Sequence, residues 1–138
     1  MGLNPCLASL ALGLCLAAAS ARAEDCPAKS TMMDDIIAAL NEAPGCERAM
    51  KVFEACEYGT SGDIRFGALV ETKCERDFLP RLTALQRQHY LGEMRACERK
   101  YLNKEGTMYR SFTAFCRAGV AQRYAQKARR TATPSQAR

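Results

Sequence analysis

The chain has 138 residues, a net charge of +5, eight cysteines, one histidine and no tryptophan. That length fits one small domain with one modest core. A single histidine leaves few acid–base arrangements open, and the sequence contains no Gly-x-Ser-x-Gly, His-Glu-x-x-His or Walker-type phosphate loop.

Met1–Ala23 reads as a secretory signal peptide, with an apolar stretch Leu7–Ala19 followed by Ala21-Arg22-Ala23, a small-x-small cut site. The stretch is shorter than the roughly 20 residues that a spanning helix needs. No later apolar run could cross a bilayer, so the mature chain is expected to have no transmembrane segment and to be secreted or periplasmic. Nucleic acid is a poor partner for an exported protein. Cys6 and Cys15 would leave with the signal. The six that remain, Cys26, Cys46, Cys56, Cys74, Cys97 and Cys116, are an even set in an oxidising compartment, where three structural disulfides are expected.

The apolar pattern is helical nearly throughout. Ser30 or Thr31 is placed to cap a first helix, whose opening acids Asp34 and Asp35 suit the helix dipole. Met33, Ile36, Ile37, Leu40 and Ala43 recur at helical spacing until Pro44-Gly45. A second helix, about Cys46–Tyr58, carries Cys46, Ala49, Met50, Phe53 and Cys56 on one stripe, and Gly59–Asp63 is a loop. A third, about Ile64–Leu79, aligns Phe66, Val70, Cys74 and Phe78 before Pro80. Thr83 with Gln86 forms a capping box for a fourth helix of roughly 19 residues, with Tyr90, Leu91, Met94, Cys97 and Tyr101 as its stripe. Asn103–Gly106 breaks the pattern. Thr107 opens a fifth helix, with Met108, Phe112, Phe115, Cys116, Gly119 and Val120 expected inward. From about Ala128 to Arg138 a disordered basic tail is expected. The reading is an all-α, disulfide-stapled bundle of four to five short helices, with one six-cysteine domain over residues 24–127.

Geometry narrows the disulfide pairing. Within one continuous helix Cys46 and Cys56 stand roughly 15 Å apart at a rise of about 1.5 Å per residue, too far to bond. In an antiparallel hairpin the start of the second helix meets the end of the third, which suggests Cys46–Cys74. The Asn103–Gly106 turn suggests Cys97–Cys116 in the same way, leaving Cys26–Cys56; other connectivities stay open.

Charge is graded along the chain. Residues 24–63 hold nine acids against three bases, whereas residues 106–138 hold seven bases and no acid. Such a basic end could dock on an anionic envelope surface; a solvated helix face is the plainer account.

Catalytic chemistry is sparse, so no catalytic, cofactor-binding or metal-ligating residues are assigned. His89 has no partner in a known arrangement. Glu71 and Glu75 lie one helical turn apart and Asp34-Asp35 are adjacent, but bases such as Lys73 and Arg76 intervene, as on ordinary helix surfaces. The cysteines lack zinc-knuckle spacing. The densest local signature is Gly106–Ala118, where Tyr109, Arg110 and Arg117 are expected to project off the core stripe. Tyr and Arg are favoured in binding hot spots.

From Cys74 to Tyr124 the chain resembles the LprI-type lysozyme-inhibitor family of exported bacterial proteins. The likeness lies in Leu82–Arg87, a long helix ending in Arg95-Ala96-Cys97, the turn at Gly106, Phe115-Cys116 and the basic Gln122-Arg123-Tyr124. The family's usual Trp is absent. The resemblance implies a small cysteine-stapled helical domain that inhibits a lysozyme-type enzyme. Animal-type lysozymes are basic, so the acids of residues 24–63, Asp34, Asp35, Glu54 and Glu57 among them, are the charges that would suit such a partner. The function expected is that of an exported, non-enzymatic binding protein; the alternative is an envelope interaction module docking through its basic C-terminal helix.

Overall fold

The computed structural model describes residues 25–132. The expected signal peptide and residues 133–138 lie outside the described residues. Five α-helices follow in order: α1 (Met33–Glu42), α2 (Gly45–Ala55), α3 (Asp63–Phe78), α4 (Ala84–Tyr101) and α5 (Thr107–Ala132). A 3-10 turn, Leu79–Arg81, sits between α3 and α4. The described residues contain no strand.

Local signals account for most boundaries. Gly45, at φ 82°, opens α2 after Pro44, a conformation that a side chain would strain. The capping box forms as expected: Gln86 N–H donates to Thr83 Oγ1 at 3.2 Å, and Thr83 N–H donates to Gln86 Oε1 at 2.9 Å. The start of α1 differs from expectation. Met32 is its N-cap residue, without a side-chain cap bond. Ser30 instead accepts from Met32 N–H and donates to Asp35, which lies within the first turn.

Three disulfides cross-link the elements: Cys26–Cys56, Cys46–Cys74 and Cys97–Cys116, with Cα–Cα distances of 4.8, 4.5 and 5.6 Å. They match the expected pairing, two of them from hairpin geometry and Cys26–Cys56 as the remaining pair. Two tie helices that pack side by side and the first ties the segment before α1 to the end of α2, each contributing roughly 2–4 kcal/mol through the unfolded chain.

Contacts fix the directions. Asp63 meets Ser111, Gly67 meets Ala114, Glu71 meets Arg117 and Phe78 meets Tyr124, so α3 and α5 run parallel. α4 returns antiparallel, with Glu98 on Arg117, Glu93 on Tyr124 and Tyr90 on Phe78. α2 also opposes α5, Phe53 stacking on Phe115 while Glu47 meets Gln126. One end of the bundle therefore holds the starts of α1, α3 and α5. The other holds their C-terminal ends and the start of α4.

The expected stripes of α2 and α3 are buried as read. α5 departs from its reading. Its buried line is Ser111, Ala114, Ala118, Ala121 and Ala125, with Val120 beside it, while Met108 and Phe112 are exposed. Small side chains at three- and four-residue spacing let α5 approach α3 closely. A Cβ built on Gly67 would lie 3.0 Å from Ala114 Cβ and 3.2 Å from its carbonyl oxygen. Large side chains would hold these helices apart; their smallness is what permits the contact.

The tail also needs correction. Helix continues through Ala132, so residues 128–132 are not disordered. Ala125 is buried, Ala128 packs on the core, and Arg129 reaches Glu47 at 2.6 Å and Asp77 at 3.6 Å. These tertiary contacts supply what the local sequence lacked.

Candidate functional site

The α4–α5 turn leaves two helix termini without an opposing element. Gly106, at φ 107°, reverses the chain there. Tyr101, from the last turn of α4, meets Tyr109 and Phe112 of α5 with ring centroids 6.1 and 5.8 Å away, and Tyr109 lies 5.9 Å from Phe112. Lys100 sits 5.2 Å over the Tyr101 ring. Around this three-ring cluster Leu102 is 74% exposed, Met108 47% and Phe112 41%. Single exposed apolar residues are ordinary, but several gathered at one tip make it the candidate contact surface.

A groove opens beside the cluster. A cavity of about 460 Å³ between the first turns of α3 and α5 and the end of α4 is lined by Ile64, Ala68, Glu71, Glu98, Arg110 and Thr113. A second depression of about 660 Å³ over the α4–α5 turn shares Glu98, Arg110 and Thr113 with it and extends to Tyr101 and Tyr109. Arg110 thus stands between the two, exposed, and makes no ion pair among the described residues.

Arg117 has a different position. Its Nε and Nη2 donate to Glu71 Oε1 and Oε2, both at 2.9 Å, and Nη1 pairs with Glu98. The bond to Glu71 raises its pKa above the already high guanidinium value, against the opposing effect of burial. It ties α3, α4 and α5 together, so its guanidinium is occupied within the fold. Tyr109 and Arg110 share the open surface; Arg117 forms its inner wall.

Asp34, Glu54 and Glu57 are exposed, while Asp35 is half-buried and bonded to Ser30. Because α1 and α2 are antiparallel and Cys26 is bonded to Cys56, these four acids lie at the same end of the bundle as the aromatic cluster, Asp34 and Asp35 on α1, Glu54 on α2 and Glu57 just beyond it. Sequence reasoning missed the contribution of Tyr101 and Phe112, which apolar spacing assigned to the core. Their position at the extremes of two helices joined by a helix-breaking turn was the available signal.

The other carboxylates weighed as a catalytic pair are committed elsewhere. Glu71 holds Arg117, and Glu75 accepts from the buried Tyr90 hydroxyl at 2.8 Å. Burial and Glu75 raise the Tyr90 pKa well above the ordinary phenol. Lys73 donates to the carbonyls of Asn41 and Ala43 at the end of α1, at 2.9 and 2.8 Å. Asp63 is buried at the start of α3. It accepts from the N–H groups of Tyr58 and Thr60, at 2.9 and 3.3 Å, and from Ser111 Oγ at 2.6 Å. This fastens the Gly59–Asp63 loop to α5.

Half of the basic residues of α5 are paired within the fold. Arg117, Arg123 and Arg129 of α5 pair with Glu71, Glu93 and Glu47 on α3, α4 and α2. The basic helix lies across acids of the earlier chain, leaving Arg110, Lys127 and Arg130 outside ion pairs among the described residues. No group of three or more His, Cys, Asp or Glu among those residues is arranged to hold a metal. No helix among them is long and apolar enough to cross a membrane.

Comparison with protein-family models, curated proteins and solved structures finds no match. The likeness to the lysozyme-inhibitor family therefore rests on the residues quoted for it.

Proposed function

We propose that this chain is an exported, non-enzymatic binding protein that occludes another protein, a lysozyme or similar cell-wall-lytic enzyme, with the α4–α5 end of its bundle. The observation that carries the reading is the partly exposed Tyr101–Tyr109–Phe112 cluster beside Arg110. Aromatic rings and an arginine concentrated at one end of the bundle are what interface hot spots use. The disulfide frame supports it: a cross-linked surface loses little conformational entropy on binding. Export rests on the Met1–Ala23 pattern together with those disulfides. Asp34, Asp35, Glu54 and Glu57 at the same end would steer a basic enzyme toward the tip.

The test is capture of a purified basic lysozyme by the oxidised protein, with muramidase activity followed in the same sample. Dose-dependent inhibition, lost in Tyr109→Ala and Arg110→Ala variants of unchanged thermal stability, is the expected result. No capture and no inhibition, across animal-type and phage-type lysozymes, would end the inhibitor reading.

A further inference from the structure

A second cavity, of about 500 Å³, lies at the opposite end of the bundle, between the end of α3, the start of α4 and the last turns of α5. Its size falls within the roughly 300–1,000 Å³ of small-molecule sites. Part of the wall is apolar. Phe78, Leu82, Tyr124 and Ala128 line it, with the Phe78 and Tyr124 rings 5.4 Å apart. The rest of the lining is polar and includes two cations, Arg81 and Lys127, with Gln86, His89 and Thr131.

The cavity's one carboxylate, Glu93, is already engaged. It accepts from Tyr124 Oη at 2.8 Å and pairs with Arg123 at 3.1 Å. Tyr124 therefore presents its ring, not its hydroxyl, to a ligand. Arg81 donates only to the Asp77 carbonyl, and neither Arg81 nor Lys127 makes an ion pair among the described residues. An aromatic floor with two cations beside it, and a neutralised acid, is complementary to an anion with an apolar body.

We propose that this cavity binds a small amphipathic carboxylate, its apolar body on Phe78, Leu82 and Tyr124 and its carboxylate between Arg81 and Lys127. A medium-chain fatty acid and an aryl-substituted short acid share this chemistry. The site is independent of the α4–α5 surface.

The test is a titration of the oxidised protein with decanoate and, separately, 4-phenylbutyrate, followed by amide and side-chain NMR shifts. Decanol and inorganic phosphate serve as the apolar-only and charge-only controls. At least one carboxylate should saturate with a Kd at or below about 1 mM, moving Phe78, His89, Tyr124 and Lys127. Which one saturates identifies the body of the ligand. The double variant Arg81→Glu, Lys127→Glu should weaken binding by roughly ten-fold or more, and Ala128→Leu should weaken it by filling the cavity. Both sets of changes lie on half-buried or exposed positions, and thermal unfolding checks that each variant is folded. Failure of both carboxylates to saturate would overturn the proposal. So would decanol binding as tightly as decanoate, or shifts centred on Tyr109 instead.

Discussion

Arg110 and Arg117 lie two turns apart on α5, and the regions around them behave oppositely. At Arg117 the helix is enclosed by α3 and α4, and two edges of the guanidinium meet carboxylates. At Arg110 those neighbours have run out: α3 is only beginning and α4 is ending, so the side chain stands between two depressions. The same residue type on one helix is a cross-brace in one place and a surface group in the other. The difference comes from how far each neighbouring helix extends. A closed, paired middle holds the open tip in shape.

The most drastic way to break the closed region is to reduce the disulfides. Loss of all three should cost on the order of 2–4 kcal/mol each and leave the chain largely unfolded at 37 °C, seen as loss of cooperative thermal melting by circular dichroism. Asp63→Ala comes next. It strands the N–H groups of Tyr58 and Thr60 and the Ser111 hydroxyl, and should cost about 2–4 kcal/mol in urea unfolding. A cost below half a kcal/mol would mean the loop is not fastened there.

The two arginines sharpen the contrast. Arg117→Ala should destabilise by roughly 1–3 kcal/mol, because Glu71 is left half-enclosed without its partner. Arg110→Ala should stay within about 0.5 kcal/mol of the parent. Equal losses would erase the distinction between brace and surface. Gly67→Ala should cost about 1–3 kcal/mol by overpacking against Ala114, despite alanine's better helix propensity; a gain in stability would show that α3 and α5 can move apart freely.

The smallest effect concerns acid. Burial alone would raise the Glu47 pKa, but bonds from Gln126, Gln122 and Arg129 together outweigh it and hold the carboxyl below its ordinary value. A carboxylate depressed in the folded state stabilises above its unfolded pKa, and that stability is lost as pH falls through the folded value. Glu47→Gln should therefore flatten the acid limb of the stability profile modestly, since the pair is partly exposed. The Tyr124 phenol, pushed up to about 12 by burial and by Glu93, should titrate late in an alkaline absorbance scan, and earlier in Glu93→Gln.

Local chemistry wrote much of this fold into the chain. Turn residues at Pro44-Gly45 and Gly106, the Thr83–Gln86 box, and the stripes of α2 and α3 mark helices wherever they occur. Cysteines at the ends of adjacent helices then restrict the pairing by distance. The face of α5 was a different matter. Its large apolar residues drew the reading outward to Met108 and Phe112, while the contact with α3 runs along Ser111 and four alanines. Hydrophobicity ranks residues by size, but a close helix crossing selects for its absence.

The sequence by itself determined the helical class and the punctuation between helices, because these depend on spacing within a turn or two of chain, and the even count of cysteines after the signal pattern marked the bonded set. Tertiary structure decided which charges are spent. Arg117, Arg129 and Asp63 find partners 46, 82 and 48 residues away, and Arg110 finds none among the described residues. Which side of that line a charge falls on depends on where neighbouring helices end in space, a distance that residue spacing along one helix does not encode.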